Sequence, residues 1–351
     1  MKAVAVLEAG KRALVKCVDI PMPVFGDYEC LVRVKACGIC SSTDLKIVHG
    51  EHPDNPDFPF IYPVILGHEA VGEIVETGRK VRSFRPGDRV VCPVTSNIPE
   101  CGYRMAYGGM TEYSLAYDYR VMKEDGVNAR ALRFWPEEID YQTKIFPNNI
   151  SWTDAVMILT YKENYSALRN FGIKEGMDVI IFGDGAVSLG LNQFIKAYGV
   201  RSVVTVGHHD ERLEKIRTLA SPDLLVNSAR EDLSGVLGDR RFDIAIDAAG
   251  SLDIIRQGLS LLKQGGKVCL YGVLKKGQST MDLLSFPNNT GVHIMTYPYH
   301  EHRTHDEILE LMRNGTIRAK DMYSHVLPAE DAALGISMLE KREAFKVILT
   351  F

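Results

Sequence analysis

Residues 178–190 read DVIIFGDGAVSLG, and their interpretation decides the fold. Five residues dominated by Val and Ile run into Gly183 and Gly185, and a helix-compatible apolar repeat begins directly afterwards. A strand that enters glycines and leaves as a helix is the setting of a dinucleotide fingerprint. Gly183 permits the tight turn, and Gly185 clears a side chain so that backbone N–H groups can approach a pyrophosphate at the positive helix end. Ala186 and Val187 open that helix, while Ser188 stands at the third position, where glycine or alanine is usual.

The pattern continues outward in strand-helix alternation. After the helix stopped by Gly199 come the strand SVVTVG, the helix DERLEKIRTLA, the strands DLLVN and FDIAIDAAG, a helix expected over LDIIRQGLSLLKQGG, and the strand KVCLYGV. Strands joined by helices of this length require right-handed crossovers and a parallel sheet covered on both faces. Upstream, SWTDAVMILTYKENYSALRNFG places Ser151 and Asp154 in capping positions and ends at Gly172, predicting a long leading helix. From Met1 to about Gly126 the chain is strand-like, with turn signals such as RPGD and YGGM. Asn128–Asn149 reads as a connector or surface lobe.

At the end of the second strand, where an acid normally accepts hydrogen bonds from the adenosine ribose of NAD, stands Gly207. His208 and His209 follow, with Arg212 one turn into the helix. A ribose 2′-phosphate then meets cations rather than a carboxylate, so NADP is favoured over NAD. In the alternative reading the histidines are a solvated turn and Asp210 moves into the ribose role.

The chain has 351 residues and is 46% hydrophobic, enough for two domains with large cores. Its 41 basic and 45 acidic residues are interspersed, leaving no basic stripe for nucleic acid or an anionic membrane. No leader or membrane-spanning stretch is apparent, and seven cysteines without framework spacing read as reduced thiols, so a cytoplasmic protein is expected.

Residues 34–50, VKACGICSSTDLKIVHG, carry Cys37, Cys40, Ser42, Thr43 and Asp44 just past an apolar strand, and residues 64–75, VILGHEAVGEIV, carry His68 and Glu69. One thiolate, one imidazole and a carboxylate or water fit the open tetrahedral shell of catalytic zinc. With FRPGDRV at 84–90 and the glycine fingerprint, these stretches stand in the order found in the zinc-dependent medium-chain alcohol and polyol dehydrogenases. The resemblance covers nearly the whole chain.

It implies an α/β plus β fold: a GroES-like β-rich catalytic domain from residues 1–152 and 290–351, with a doubly wound Rossmann domain, 153–289, inserted. A cleft between them would hold zinc and the nicotinamide. Cys40 and His68 would be zinc ligands, Glu69 would lie beside the metal and able to enter its shell, and Ser42 or Thr43 would relay the substrate proton. Asp44 would orient neighbours. Cys37 reads as a core thiol.

Three departures qualify the resemblance. Cys92 and Cys101 are too few and too far apart for the family's structural zinc lobe, so one catalytic and no structural zinc is expected. Leu159 falls where the family usually has a further ligand, leaving Glu163, one turn later, as a substitute or a solvated helix glutamate, with Glu69 expected to compensate. Lys46 replaces the usual relay histidine, so the proton route runs through His49 or directly to solvent.

The expected activity is NAD(P)-dependent interconversion of a secondary alcohol (polyol, cyclitol or sugar alcohol) and a ketone by a homodimer or homotetramer. A zinc-free carbonyl or quinone-type reductase and a non-catalytic nucleotide-binding relative remain as alternatives.

Overall fold

The computed structural model describes residues 1–53, 60–94, 98–127, 143–278, 280–282, 286, 287, 289–295 and 300–351. Most of the expected connector, residues 128–142, lies outside the described residues; of its remainder, Lys144–Ile145 forms a short strand. Two compact units emerge: Met1–Lys162 with His300–Phe351, and Glu163–Tyr299. The division falls inside the long helix Trp152–Asn170 rather than at its start. That helix begins where the sequence indicates, with the Ser151 hydroxyl accepting the Asp154 N–H at 3.1 Å.

The first unit is built on antiparallel pairing. Glu29–Ile39 is its central strand, bonded to Glu69–Thr77, Tyr113–Tyr117 and the closing strand Val347–Thr350. Its first half alternates, with Cys30, Val32 and Val34 inward, as a strand with one wet face does. From Ala36 to Ile39 both faces are buried, because Val347–Thr350 and Glu69–Thr77 flank that end. The neighbouring core collects Val34, Cys37, Ile39, Ile47, Leu66, Ala70, Val347 and Leu349. Both ends of the chain therefore meet where Gly38 pairs with Glu69 on one side and Ile348 on the other.

The second unit is a six-stranded parallel sheet in the order Leu224–Asn227, Ser202–Gly207, Asp178–Phe182, Phe242–Asp247, Leu262–Leu270, Gly291–Ile294. Taken by chain position this is strand order 3-2-1-4-5-6, the doubly wound arrangement whose ligand crevice opens where the order reverses. Ile180, Phe182, Val204, Val206, Val226, Ala245 and Val268 fill its core. Gly291–Ile294 extends this sheet beyond residue 289, since its register against Lys267–Leu270 is parallel and continuous.

One element differs from the sequence expectation. The helix predicted over 252–266 ends at Ser260, and Leu262–Leu270 is a strand. Leu262 already pairs with Phe242, and the next pair is Ile244 with Lys267, so the residues between bulge out around Gly265, whose φ is +79°. Helical periodicity continued past the true end because Leu261 and Leu262 are buried against the sheet as they would be on a helix face.

Candidate active site

Cys40 ends the run that follows the central strand, and a single short helix, Thr43–His49, fixes the residues after it. The fully buried Asp44 accepts the Cys40 backbone N–H at 2.9 Å through Oδ2, while its Oδ1 lies 3.5 Å from His68 Nδ1. The Cys40 sulfur accepts the Thr43 N–H at 3.4 Å. Gly67, with φ +100°, turns the chain into the strand Glu69–Thr77, so that His68 precedes the sheet and Glu69 begins it. Sulfur, imidazole nitrogen and carboxylate oxygen of Cys40, His68 and Glu69 all lie within 4.8 Å of one another.

This donor set suits zinc: a soft thiolate, an imidazole and a carboxylate leave one tetrahedral position open for substrate. Asp44 stands behind His68 as the carboxylate does that fixes the orientation of a metal-binding imidazole. Burial works against an imidazolium at His68, yet the charge and hydrogen-bonding capacity of Asp44 and Cys40 outweigh it and hold the His68 pKa well above the ordinary imidazole value. Cys37, by contrast, is fully buried, and desolvation first, then Asp44 and Glu69, push its thiol well up. It is a core residue.

Glu69 is 2% exposed and has one close partner the sequence reading did not use, Lys346, whose Nζ lies 2.5 Å from Oε2. The two form a buried ion pair. Lys346 stands between Phe345 and the apolar closing strand Val347–Thr350, and a lone lysine at such a position is the signal that could have found it. Gly38 makes room for the pair: a methyl group there would collide with Glu69 Oε2 and lie 3.0 Å from Val156 Cγ1 and 3.1 Å from Lys346 Cε. Gly38→Ala is therefore expected to weaken metal retention by about 10–100-fold, as loss of a supporting contact does. Competition against a zinc chelator measures this, and unchanged retention would show that Glu69 is not held as described.

The remaining predicted residues fall as follows. Ser42 precedes the helix, and Lys46 Nζ donates to its hydroxyl at 3.5 Å. His49 is occupied elsewhere, its Nε2 2.9 Å from Glu340 Oε1 and its Nδ1 beside the Gly10 carbonyl, so the contact seen with Ser42 belongs to Lys46 and not to His49. Leu159 is core. Glu163 belongs to the second unit, where its carboxylate accepts from the Tyr271 hydroxyl at 3.4 Å.

In the second unit Gly183 takes φ +132° and donates its N–H to the Val206 carbonyl at 2.8 Å, turning the chain at the carboxyl end of the inner strand Asp178–Phe182. Gly185 caps the helix Ala186–Ile195 with open space around its Cα, leaving the helix N-terminus approachable; Ala186 and Val187 are half-buried there. Ser188 is buried and packs inward, its carbonyl accepting from Asn192, which in turn accepts from Thr205 at 2.7 Å. The third fingerprint position serves helix-strand packing.

Gly207 ends its strand as expected, but a carboxylate is present beside it: that of Asp184, from between the two fingerprint glycines. Asp184 accepts the His208 and His209 N–H groups, and Arg212 lies within 3.9 Å of it. The sequence reading placed no acid here because this one comes from the preceding turn. Asp210, the alternative ribose partner, is engaged by Asn227 and Arg230.

A Cys-His-Glu cluster in one unit and a fingerprint-bearing parallel sheet in the other define a zinc-dependent, dinucleotide-using oxidoreductase. The family model described as Alcohol dehydrogenase GroES-like domain matches residues 26–125, and that described as Zinc-binding dehydrogenase matches residues 186–314. An alcohol dehydrogenase of Geobacillus stearothermophilus is 34% identical over 278 residues, 78% of each chain. A sorbitol dehydrogenase of Bacillus subtilis (strain 168) is 25% identical over 95% of this chain and 94% of that one. Among solved structures, a protein of Sinorhizobium meliloti 1021 assigned as a zinc-binding dehydrogenase, with NADP bound, superposes with a TM-score of 0.74 at 24% identity, covering 100% and 99% of the two chains. The chain belongs to the zinc-type medium-chain alcohol and polyol dehydrogenases, oxidoreductases that interconvert alcohols and ketones with a nicotinamide dinucleotide. Among the described residues, no helix is long and apolar enough to cross a membrane.

Proposed function

We propose that this chain interconverts a secondary alcohol of the polyol, cyclitol or sugar-alcohol class and the corresponding ketone, with NADP favoured over NAD. The single observation that carries the reading is the convergence of Cys40, His68 and Glu69, braced by Asp44. These three residues would hold one zinc, which when bound supplies the Lewis acidity that lowers the pKa of a substrate hydroxyl. A bound nicotinamide would supply the hydride chemistry.

The chain's own residues handle the proton. The Ser42 hydroxyl accepts it as the alcohol is oxidised and releases its own proton to solvent, while the Lys46 ammonium, donating to that hydroxyl from 3.5 Å, holds it in place. Ketone reduction runs the same route backwards. The Thr43 N–H steadies the Cys40 sulfur, and the Thr43 hydroxyl is the alternative relay group. Residues Gly183, Gly185, Ala186 and Val187 would hold the pyrophosphate at the helix N-terminus. His208, His209 and Arg212 favour a 2′-phosphate. Assembly as a homodimer or homotetramer and a cytoplasmic location belong to the same reading.

A panel of polyols and ketoses with NADP(H) and NAD(H), followed by nicotinamide absorbance, tests the activity. Turnover of at least one polyol-ketose pair is expected. Tight dinucleotide binding without turnover of any pair would favour a non-catalytic relative. Turnover by protein that holds no zinc would favour a zinc-free carbonyl reductase, the reading to which the buried Leu159 points.

A further inference from the structure

One side chain joins the glycine fingerprint to the Gly207 loop. Asp184 Oδ2 accepts the N–H of His208 at 2.7 Å and of His209 at 3.0 Å, and lies 2.7 Å from His209 Nδ1. Its Oδ1 is 3.9 Å from Arg212 Nη1, and the side chain is 11% exposed. A Cβ added at Gly207 would come within 2.7 Å of Asp184 Cβ and 2.9 Å of Oδ2. The carboxylate therefore takes the space that an acid at the strand end would use, arriving from the opposite side.

The two amides it engages belong to the residues directly before the eleven-residue helix Asp210–Ala220. Backbone N–H groups at a helix start, with the positive dipole end behind them, form a ready seat for an anion. Here the seat is filled by an anion of the chain itself. Burial raises the Asp184 pKa, but the His208 and His209 amides and the His209 ring outweigh it and leave the group below its ordinary value, hence ionised at neutral pH. The other charges nearby are accounted for: Asp210 pairs with Arg230, and His208 Nδ1 with the Ser228 hydroxyl.

We infer that Asp184 sets this protein's discrimination between the two dinucleotides: its carboxylate occupies the anion seat beside Gly207 and weakens binding of a ribose 2′-phosphate relative to ribose hydroxyls. The inference rests on the dinucleotide reading of the fingerprint. A 2′-phosphate meets a fixed negative charge and finds His209 and Arg212 already partly neutralised. An unphosphorylated ribose carries no charge and can donate a hydrogen bond to the carboxylate. The preference for NADP that the basic residues create is thereby narrowed, and both dinucleotides are accepted.

The test is titration of the intact protein with NADH and with NADPH, read by nicotinamide fluorescence, for the wild type, D184N and D184S. In both variants the ratio of NADPH to NADH affinity is expected to rise by at least about tenfold, from removal of a like charge within a few ångströms of the phosphate. D184N keeps the side chain's shape and one acceptor, so it decides the matter if D184S fails to fold. An unchanged ratio with both dinucleotides bound would overturn this inference alone. A ratio that falls would also overturn it, since Asp184 would then be positioning His209 and Arg212 for the phosphate. Binding of neither dinucleotide to the wild type would overturn the nucleotide-site reading and this inference with it.

Discussion

Cys40→Ala and His68→Ala are each expected to leave the protein without zinc and to lower its turnover by more than about 10³-fold, the equivalent of several kcal/mol of lost charge stabilisation at the substrate oxygen. Dinucleotide affinity is expected to hold, because both residues belong to the first compact unit while Gly183, Gly185 and the Gly207 loop belong to the second. Metal analysis, steady-state rates and nicotinamide fluorescence on the same preparations separate these effects. Loss of dinucleotide binding in parallel with zinc would point to unfolding. Full activity in either variant would remove the metal from the account.

Lys346→Met is expected to produce the second large effect, on stability. Lys346 and Glu69 are 6% and 2% exposed, and removing the lysine strands a buried carboxylate. Breaking a buried pair from one side costs about 3–5 kcal/mol, whereas replacing both partners costs much less because no charge is left alone. The metal-free protein should therefore lose about that amount in urea unfolding, and the double variant Lys346→Met with Glu69→Gln should recover most of it. Zinc should also reduce the loss, since a cation beside Glu69 takes over the lysine's electrostatic role. A deficit of under about 1 kcal/mol, the range of an exposed pair, would contradict the pair's importance. So would a double variant no better than the single one.

The metal cluster of the first unit and the fingerprint of the second differ in how much of them the primary structure discloses. Cys40, His68 and Glu69 are legible because zinc demands particular donor atoms and because Gly67 and the buried strands around them restrict where those donors can stand. The alternation from Asp178 to Asn227 is legible because a parallel sheet leaves strong periodic signals. Lys346 and Asp184 are not, for a common reason: each acts across a contact distant in sequence, and each sits in a segment already explained by something else. Lys346 directly precedes a closing strand that reads as ordinary core, and only the pairing of that strand with Glu29–Ile39 delivers it to Glu69. Asp184 lies at the variable position of a glycine motif, and only the parallel pairing of Phe182 with Val206 sets it against Gly207. The shortened helix after Ser251 belongs with them, since its end is dictated by pairing between Leu262 and Phe242.

The central claim is that Cys40, His68 and Glu69 form a zinc site. Its most direct test is the zinc content of the protein purified without chelators. About one zinc per chain is expected, as three protein ligands and an open position require, lost on Cys40→Ala. Zinc near zero in a preparation that still reduces ketones at full rate would contradict it.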